Sequence, residues 1–535
     1  MLNKNHKQLA VLLMLLLIST LLATITVTAQ DDYAGKGGRF VIADQDSNTS
    51  LDPFITPWHS WPHYALYSTL FFRDENLEYV GYLADTWEVA EDGMSMTINL
   101  IDYATFTDGT PVNAEAIKWN LDRFADPEVG SPGGADLVGL LKEVEVLSEY
   151  SFTIHLESQF AALTFLLNNI EIVSPTAYEE LGPDEFGLHP VGAGPFIFKE
   201  LNIDNYLLLE RNPDFRWAPE EVYDNPGPVY LDEFQILFLS EEQTILAALE
   251  TGEIQYAGVP PQNLGEVQEN PEITVESRMM DQIRYVGFNT SKAPWDNPDL
   301  RRAFAYATNR EEMVILAWED QAIPLYQPLP PSIWGHNPDL DGGAPHYDPE
   351  MAASILDELG YVDADGDGTR DQPDGSEWTV RFTVGSEDDW RRQGEVLHAQ
   401  WSDLGIPVEL ELMQFSAMLD LTTTGTHDVF LSLYGYQDPL ILTYFFDPDR
   451  KGGSNRAWYS TDDLTAMLIA ADSDLNQETR FEKITEISQY LIDQSPWVFL
   501  TVPFTNMGVR NELQNWKINT DLTFLYWNAY FEVDD

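Results

Sequence analysis

The sequence predicts an α/β protein of two or three lobes, and three observations carry that expectation. A chain of 535 residues is too long for one compact core, because single hydrophobic cores stop growing at roughly 250–300 residues. Its 44% apolar and 12% aromatic content is enough to fill more than one. Between residues 377 and 412 a strand-like run, an amphipathic helical run and a second strand-like run follow one another. That is the βαβ order of a partly parallel sheet with helices on both faces.

In chain order, the first 30 residues read MLNKNHKQLAVLLMLLLISTLLATITVTAQ. Lys4 and Lys7 precede an apolar run, and Val27-Thr28-Ala29 offers the small residues that a signal peptidase reads. Residues 1–29 are therefore expected to be a secretory signal. The alternative is an uncleaved anchor, since the apolar character continues weakly to Ala29 and a span needs about 20 apolar residues. Residues 39–44 read as a strand, and Pro53 follows in a segment that breaks it. Trp58, His59, Trp61, His63 and Tyr64 then gather rings in a loop leading into a helix. Such rings either pack beneath the loop or are offered to a ligand.

Residues 87–90 and 94–100 read as a hairpin about Glu91-Asp92-Gly93. Asn113 is placed to cap a helix whose Ala116, Ile117, Leu121 and Phe124 recur at helical spacing. A second hairpin is expected from 144–147 and 151–156, followed by a helix with Ala161, Leu163, Phe165 and Leu166. Gly192 and Gly194 are expected to let the backbone turn sharply into a strand. Pro195 and the strand-like sequence after them exclude a phosphate-binding helix N-terminus. A strand over 229–239 precedes a helix over 241–251 that ends at Gly252. Helices are also expected over 298–311 and 347–360, the second with Pro349 near its start. The tail from 496 to 530 is strongly aromatic and is expected to return to the first lobe.

Asp and Glu number 89 against 28 Lys and Arg, a net charge of −61. That balance argues against nucleic acid or an anionic membrane as partner. It fits a solvated acidic shell for salty or dilute extracellular surroundings, with attraction of a cation as the other reading. There is no cysteine, so disulfides, thiolate metal sites, a cysteine nucleophile and a lipid anchor on an N-terminal Cys are all excluded. No His-Glu-x-x-His, Gly-x-Ser-x-Gly or phosphate loop occurs, and no enzyme is expected. No cofactor is required on this reading. One metal candidate stands out. Asp363, Asp365, Asp367, Thr369, Asp371 and Asp374 place oxygens at positions 1, 3, 5, 7, 9 and 12 of a calcium loop, with Gly368 at the sixth. A structural Ca2+ is the functional reading and an acidic turn the other, because position 12 is Asp rather than Glu and a strand, not a helix, follows.

The segment 64–124 resembles the signature of the extracellular solute-binding proteins of family 5, the dipeptide, oligopeptide and nickel receptors of ABC importers. Leu83, Ala84, Trp87, Val89, Asp92, Gly93, Phe106, Asp108, Gly109, Thr110, Pro111, Ala114 and Ile117 stand in the family's places. His189-Pro-Val-Gly-Ala-Gly-Pro-Phe is a second match, and Arg301, Ala303, Tyr306, Ala307 and Arg310 a third. The resemblance implies a two-lobed periplasmic-binding-protein-like fold of type II with an extra inserted domain. Lobe I is expected from 33–70, 187–286 and 504–535, the inserted domain from 71–186 and lobe II from 287–503. It also implies a monomer at the periplasm or cell surface that closes on a small solute and delivers it unaltered to a permease's transmembrane subunits.

Residues 431–446 resemble a family stretch whose first Asp pairs with the α-ammonium of a bound peptide. Aligned on Asp438-Pro439, that Asp falls on Gly435. A buried ammonium without a carboxylate is costly, so oligopeptide and oligosaccharide stand as rival cargoes, unless Asp438 or another carboxylate replaces the missing one. Sugars present C–H faces that pack on flat rings. The expected ligand-binding set is Trp58, His59, Trp61, Asn289, Tyr434, Gly435, Tyr436, Gln437 and Asp438. An extracellular hydrolase on a polymer-binding scaffold and a sensor-linked receptor are the competing classes.

Overall fold

The computed structural model describes residues 33–45, 50–56, 60–74, 76–519 and 524–533. The expected leader, Trp58 and His59 lie outside the described residues. The framework is a 12-stranded sheet that belongs to two halves of the molecule. In the first half, Arg39–Asp44 lies parallel to Glu233–Phe238 and Tyr256–Gly258. Tyr206–Arg211 and Phe196–Asn202 extend this half antiparallel. In the second, Val380–Gly385 lies parallel to Val408–Met413 and Val429–Gly435, and Gln282–Phe288 pairs antiparallel with Val429–Gly435. Helix Asp388–Ser402 joins the first two of these strands, so the predicted βαβ unit forms.

Two segments cross between the halves. Trp497–Arg510 is a strand of 14 residues. It pairs with Gln282–Phe288 as far as Thr501 and with Ile273–Met279 from Phe504 onward. The crossings, at Met280–Asp281 and Pro503–Phe504, lie side by side, and the Met280 N–H donates to the Pro503 carbonyl at 3.0 Å. The expected first boundary, between residues 286 and 287, falls inside Gln282–Phe288, which pairs along its whole length in the second half. Apolar periodicity marks that a strand exists and not which neighbours it chooses.

Alternation along the second-half strands supplies two cores, as a sheet covered on both faces requires. Val286, Phe288, Val429 and Leu431 face one core, and Ile283, Tyr285, Phe430 and Tyr434 the other. Tyr285 stacks on Trp497 with ring centres 3.8 Å apart. The aromatic tail thus begins in the second half and ends in the first, where Tyr526 and Trp527 pack with Phe40 and Ile42.

A separate antiparallel sheet runs in the order Ala84–Val89, Ser95–Leu100, Ser151–Leu156, Leu141–Ser148. Both predicted hairpins are present in it. Helix Ala114–Phe124 covers it, capped by Asn113, whose Oδ1 accepts from the Ala116 N–H at 3.0 Å. Its Ile98, Phe152 and Ile117 share one core with the first half. It also reaches the second half. Arg450 Nη2 meets Asp136 Oδ1 at 2.6 Å, the Ala161 N–H donates to the Asp472 carbonyl at 2.7 Å, and Phe165 meets Tyr436 at 5.0 Å.

Gly192 and Gly194 serve a different purpose from the expected sharp turn, since neither takes a positive φ. A Cβ at Gly192 would lie 2.1 Å from the Leu66 carbonyl oxygen, and one at Gly194 2.4 Å from that of Ala65. Helix Trp61–Leu66 packs backbone to backbone against this strand entry. That contact fixes where Trp61 stands. No helix among the described residues is long and apolar enough to cross a membrane.

Candidate binding site

Where the halves meet there is a cleft of about 1150 Å³. The crossings form its floor with Met280, Pro503 and Phe504. The first half supplies Asp44, Trp61, Glu242 and Tyr256, and the second Gln282, Arg284 and Trp318. The volume exceeds the roughly 300–1,000 Å³ of a small-molecule pocket, which leaves room for a ligand of several residues. Trp61 packs against Tyr256 at 5.0 Å with the rings at 64° to one another.

Arg284 lies in the second-half wall, only 6% exposed. Its guanidinium sits 5.3 Å from the Trp318 ring and 4.8 Å from that of Trp390. Nη1 donates to Gln282 Oε1 at 2.5 Å, and Asp389 stands 3.6 Å from Nη2 with its side chain 40% exposed. Nε has no partner. Burial pulls the guanidinium down to about 10, against the opposing pull of Asp389, so it stays charged at neutral pH.

The expected ligand set divides. Trp61 lines the cleft. Asn289 is fully buried elsewhere: its Nδ2 donates to the carbonyls of Gly425 and His427 at 2.7 and 3.0 Å, and its Oδ1 accepts from Ser291 Oγ at 2.6 Å. It clamps a loop of the second half. Tyr434 belongs to the second-half core and donates its hydroxyl proton to the Pro328 carbonyl. Tyr436 packs between Phe165 and Tyr444. Gln437 lines a separate cavity of about 60 Å³ with His63, Arg73 and Glu171. Asp438 is held by Arg480 Nη2 at 2.9 Å and accepts the Leu440 N–H at 2.9 Å, so it is already committed to a buried ion pair. At Gly435 an added Cβ would stand 3.7 Å from Asp281 Oδ1, which places a carboxylate from the adjacent crossing beside that position.

Arg284, Gln282, Trp318 and Tyr256 are absent from the expected set. Arg284 carried one signal: an Arg within the alternating run Gln-Ile-Arg-Tyr-Val-Gly-Phe of a chain poor in bases.

In the Asp-rich loop, carboxylate oxygens of Asp363, Asp365 and Asp371 lie within 4.8 Å of one another. Asp363 also accepts the N–H groups of Gly366 and Gly368 at 2.6 and 3.0 Å. Asp367 turns instead to the N–H and hydroxyl of Thr369, and Asp374 to Ser376. Three of the six expected ligands are thus brought together, and the next regular element is strand Val380–Gly385 rather than a helix.

The family model of the bacterial extracellular solute-binding proteins, family 5, matches residues 78–454. This chain belongs to that family. Among curated proteins, this family 5 solute-binding protein is 30% identical over 537 residues to the glutathione-binding protein GsiB of Shigella flexneri serotype 5b, with 96% of each chain covered. Among solved structures, it is similar to NikA from Brucella suis in complex with Fe(III)-EDTA, with a TM-score of 0.81, 19% identity and coverage of 92% of this chain and 99% of that one. It is also similar to the ABC transporter-associated periplasmic binding protein DppA from Helicobacter pylori in complex with the peptide STSA. There the TM-score is 0.78 at 22% identity, with 95% of this chain and all of that chain covered (100%). The two halves of the sheet are accordingly the two lobes of this fold.

Proposed function

We propose that this protein is the extracytoplasmic substrate-binding subunit of an ABC importer, which captures an oligopeptide or similar small solute by lobe closure and delivers it to a permease. The observation that carries the reading is the cleft of about 1150 Å³ whose floor is two adjacent strand crossings. Two lobes whose chain connections are confined to such a floor can approach without unfolding either core. A ligand bridging the walls favours the closed state by its extra contacts there. The glutathione-binding and peptide-binding names among its relatives support a peptide-like cargo. Export through the leader at 1–29, a periplasmic or cell-surface location and a monomeric state belong to the same proposal.

A second reading keeps the cleft and changes the cargo. Rings at Trp61, Tyr256 and Trp318 with no carboxylate at Gly435 favour an oligosaccharide. Small-angle scattering and thermal melting with glutathione, a mixed tetrapeptide pool and maltotriose test both. A bound cargo is expected to compact the molecule and to add about 2.7 kcal/mol at one hundred times its Kd. Scattering unchanged by every probe overturns capture by closure, and turnover of a probe overturns the non-catalytic reading.

As a separate proposal, Asp363, Asp365 and Asp371 hold a stabilising calcium ion. They supply three of the six to eight oxygens that calcium takes.

A further inference from the structure

Helix Trp61–Leu66 presents Trp61 to the cleft and His63 and Tyr64 to the smaller cavity of about 60 Å³. Arg73 lines that cavity and is only 4% exposed. It ends strand Phe71–Arg73 on the same inward side as Phe71, where a period of two calls for an apolar residue. Its Nε has no partner, and among the described residues its guanidinium makes no hydrogen bond or ion pair. A guanidinium taken out of water is costly unless negative charge or acceptors meet its donors. Two further donors border the same space. Asn168 ends helix Leu163–Asn168 and Gln437 follows strand Val429–Gly435, and neither side-chain amide is spent on a hydrogen bond among the described residues. Glu171 is the single carboxylate among the described lining residues.

We propose that this cavity holds a resident monovalent anion of chloride size, cradled by Arg73 with the amides of Asn168 and Gln437. A space of about 60 Å³ admits such an ion and a water, since a water's share of the liquid is roughly 30 Å³. Glu171 in the same lining weighs against a second negative charge on the guest, and so against ions of the sulfate or phosphate kind. The site lies outside the cleft and does not depend on which cargo the cleft takes. Phe71 and Leu163, on the elements that carry Arg73 and Asn168, belong to the core shared by the first lobe and the four-stranded sheet, whereas Gln437 comes from the second lobe. The ion therefore ties the two sides together. With a net charge of −61, the molecule admits anions only where salt screens its field. Occupancy thus belongs to salt of about 0.1 M and above, where the Debye length falls to about 10 Å.

The test uses the full mature chain without cargo. Crystals soaked in bromide are expected to show an anomalous-scattering peak in the cavity, in contact with the Arg73 guanidinium. In solution, melting in sodium chloride is set beside melting in sodium gluconate of the same ionic strength, whose anion is too bulky to enter. Chloride is expected to add roughly 2–4 °C in the wild type beyond the difference that R73M shows between the same two salts. Q437A should lose part of that gain. The bromide crystal needs no variant, so it decides the matter even if R73M folds poorly. No peak in the cavity, or an equal salt difference in wild type and R73M, overturns the proposal and leaves the space to water. A peak that glutathione displaces makes the cavity part of the cargo site, which overturns a resident ion and leaves capture by closure standing.

Discussion

At Asp472, burial where the second lobe meets the separate antiparallel sheet and its flanking segments pushes the carboxyl up to about 6. The Thr443 hydroxyl and Arg480 pull it down, while Asp438 and Asp136 push it further up. An Asp is ordinarily half-ionised near 3.9, so between about 4 and 6 the folded protein holds a proton that the unfolded chain has lost. Stability therefore falls as pH rises through that window, and the full cost stands above it. D472N is expected to gain on the order of 2–3 kcal/mol at pH 7.5 and nothing below pH 4. Urea unfolding at the two pH values checks this, and an equal gain at both would remove the titration from the account. Other residues show where a sequence stops being readable. Asp438 looked available for a ligand until Arg480, 42 positions away, closed on it. Asn289 sits in a matched segment, yet its amide is spent on two carbonyls of a distant loop. Pairings of this kind depend on tertiary approach, and no local spacing encodes them.

Among the elements, those specified by short-range chemistry were legible. The hairpins at Gly93 and between Leu141–Ser148 and Ser151–Leu156, the Asn113 cap and the βαβ unit all follow from turn residues, caps and period. What the sequence did not show was why Gly192 and Gly194 are needed, because the obstacle is the backbone of helix Trp61–Leu66, more than 120 residues earlier in the chain. The Asp-rich loop lies between these cases. Its Asp spacing was readable, but Asp367 and Asp374 were claimed by the hydroxyls of Thr369 and Ser376. Calcium is expected to raise unfolding free energy by roughly 1–3 kcal/mol at ten to one hundred times its Kd, and D365N to abolish the gain. Identical melting in calcium and in chelator would reduce the loop to an acidic turn.

For the molecule as a whole, the contacts between the four-stranded antiparallel sheet's unit and the second lobe bear most directly on the proposed closure. Arg450 bridges to Asp136 and lies 4.7 Å over the Tyr444 ring. These groups join the sheet that shares the first lobe's core to the second lobe, so under the proposed closure the bridge is expected to favour the approached state. R450Q is expected to weaken cargo binding by about 2- to 10-fold while leaving the melting temperature without cargo nearly unchanged. Calorimetry set beside melting separates the two, and a fall in melting temperature without loss of affinity would make the bridge ordinary packing.

Under the proposed closure, the side-by-side crossings at Met280–Asp281 and Pro503–Phe504, tied by one hydrogen bond, would act as two pins set close together. A door on such pins swings through one angle and resists sliding or twisting. Whatever the cargo, the outer face then reports a single coordinate, shut or ajar, and a transporter that reads that angle learns that a passenger is aboard without learning which one.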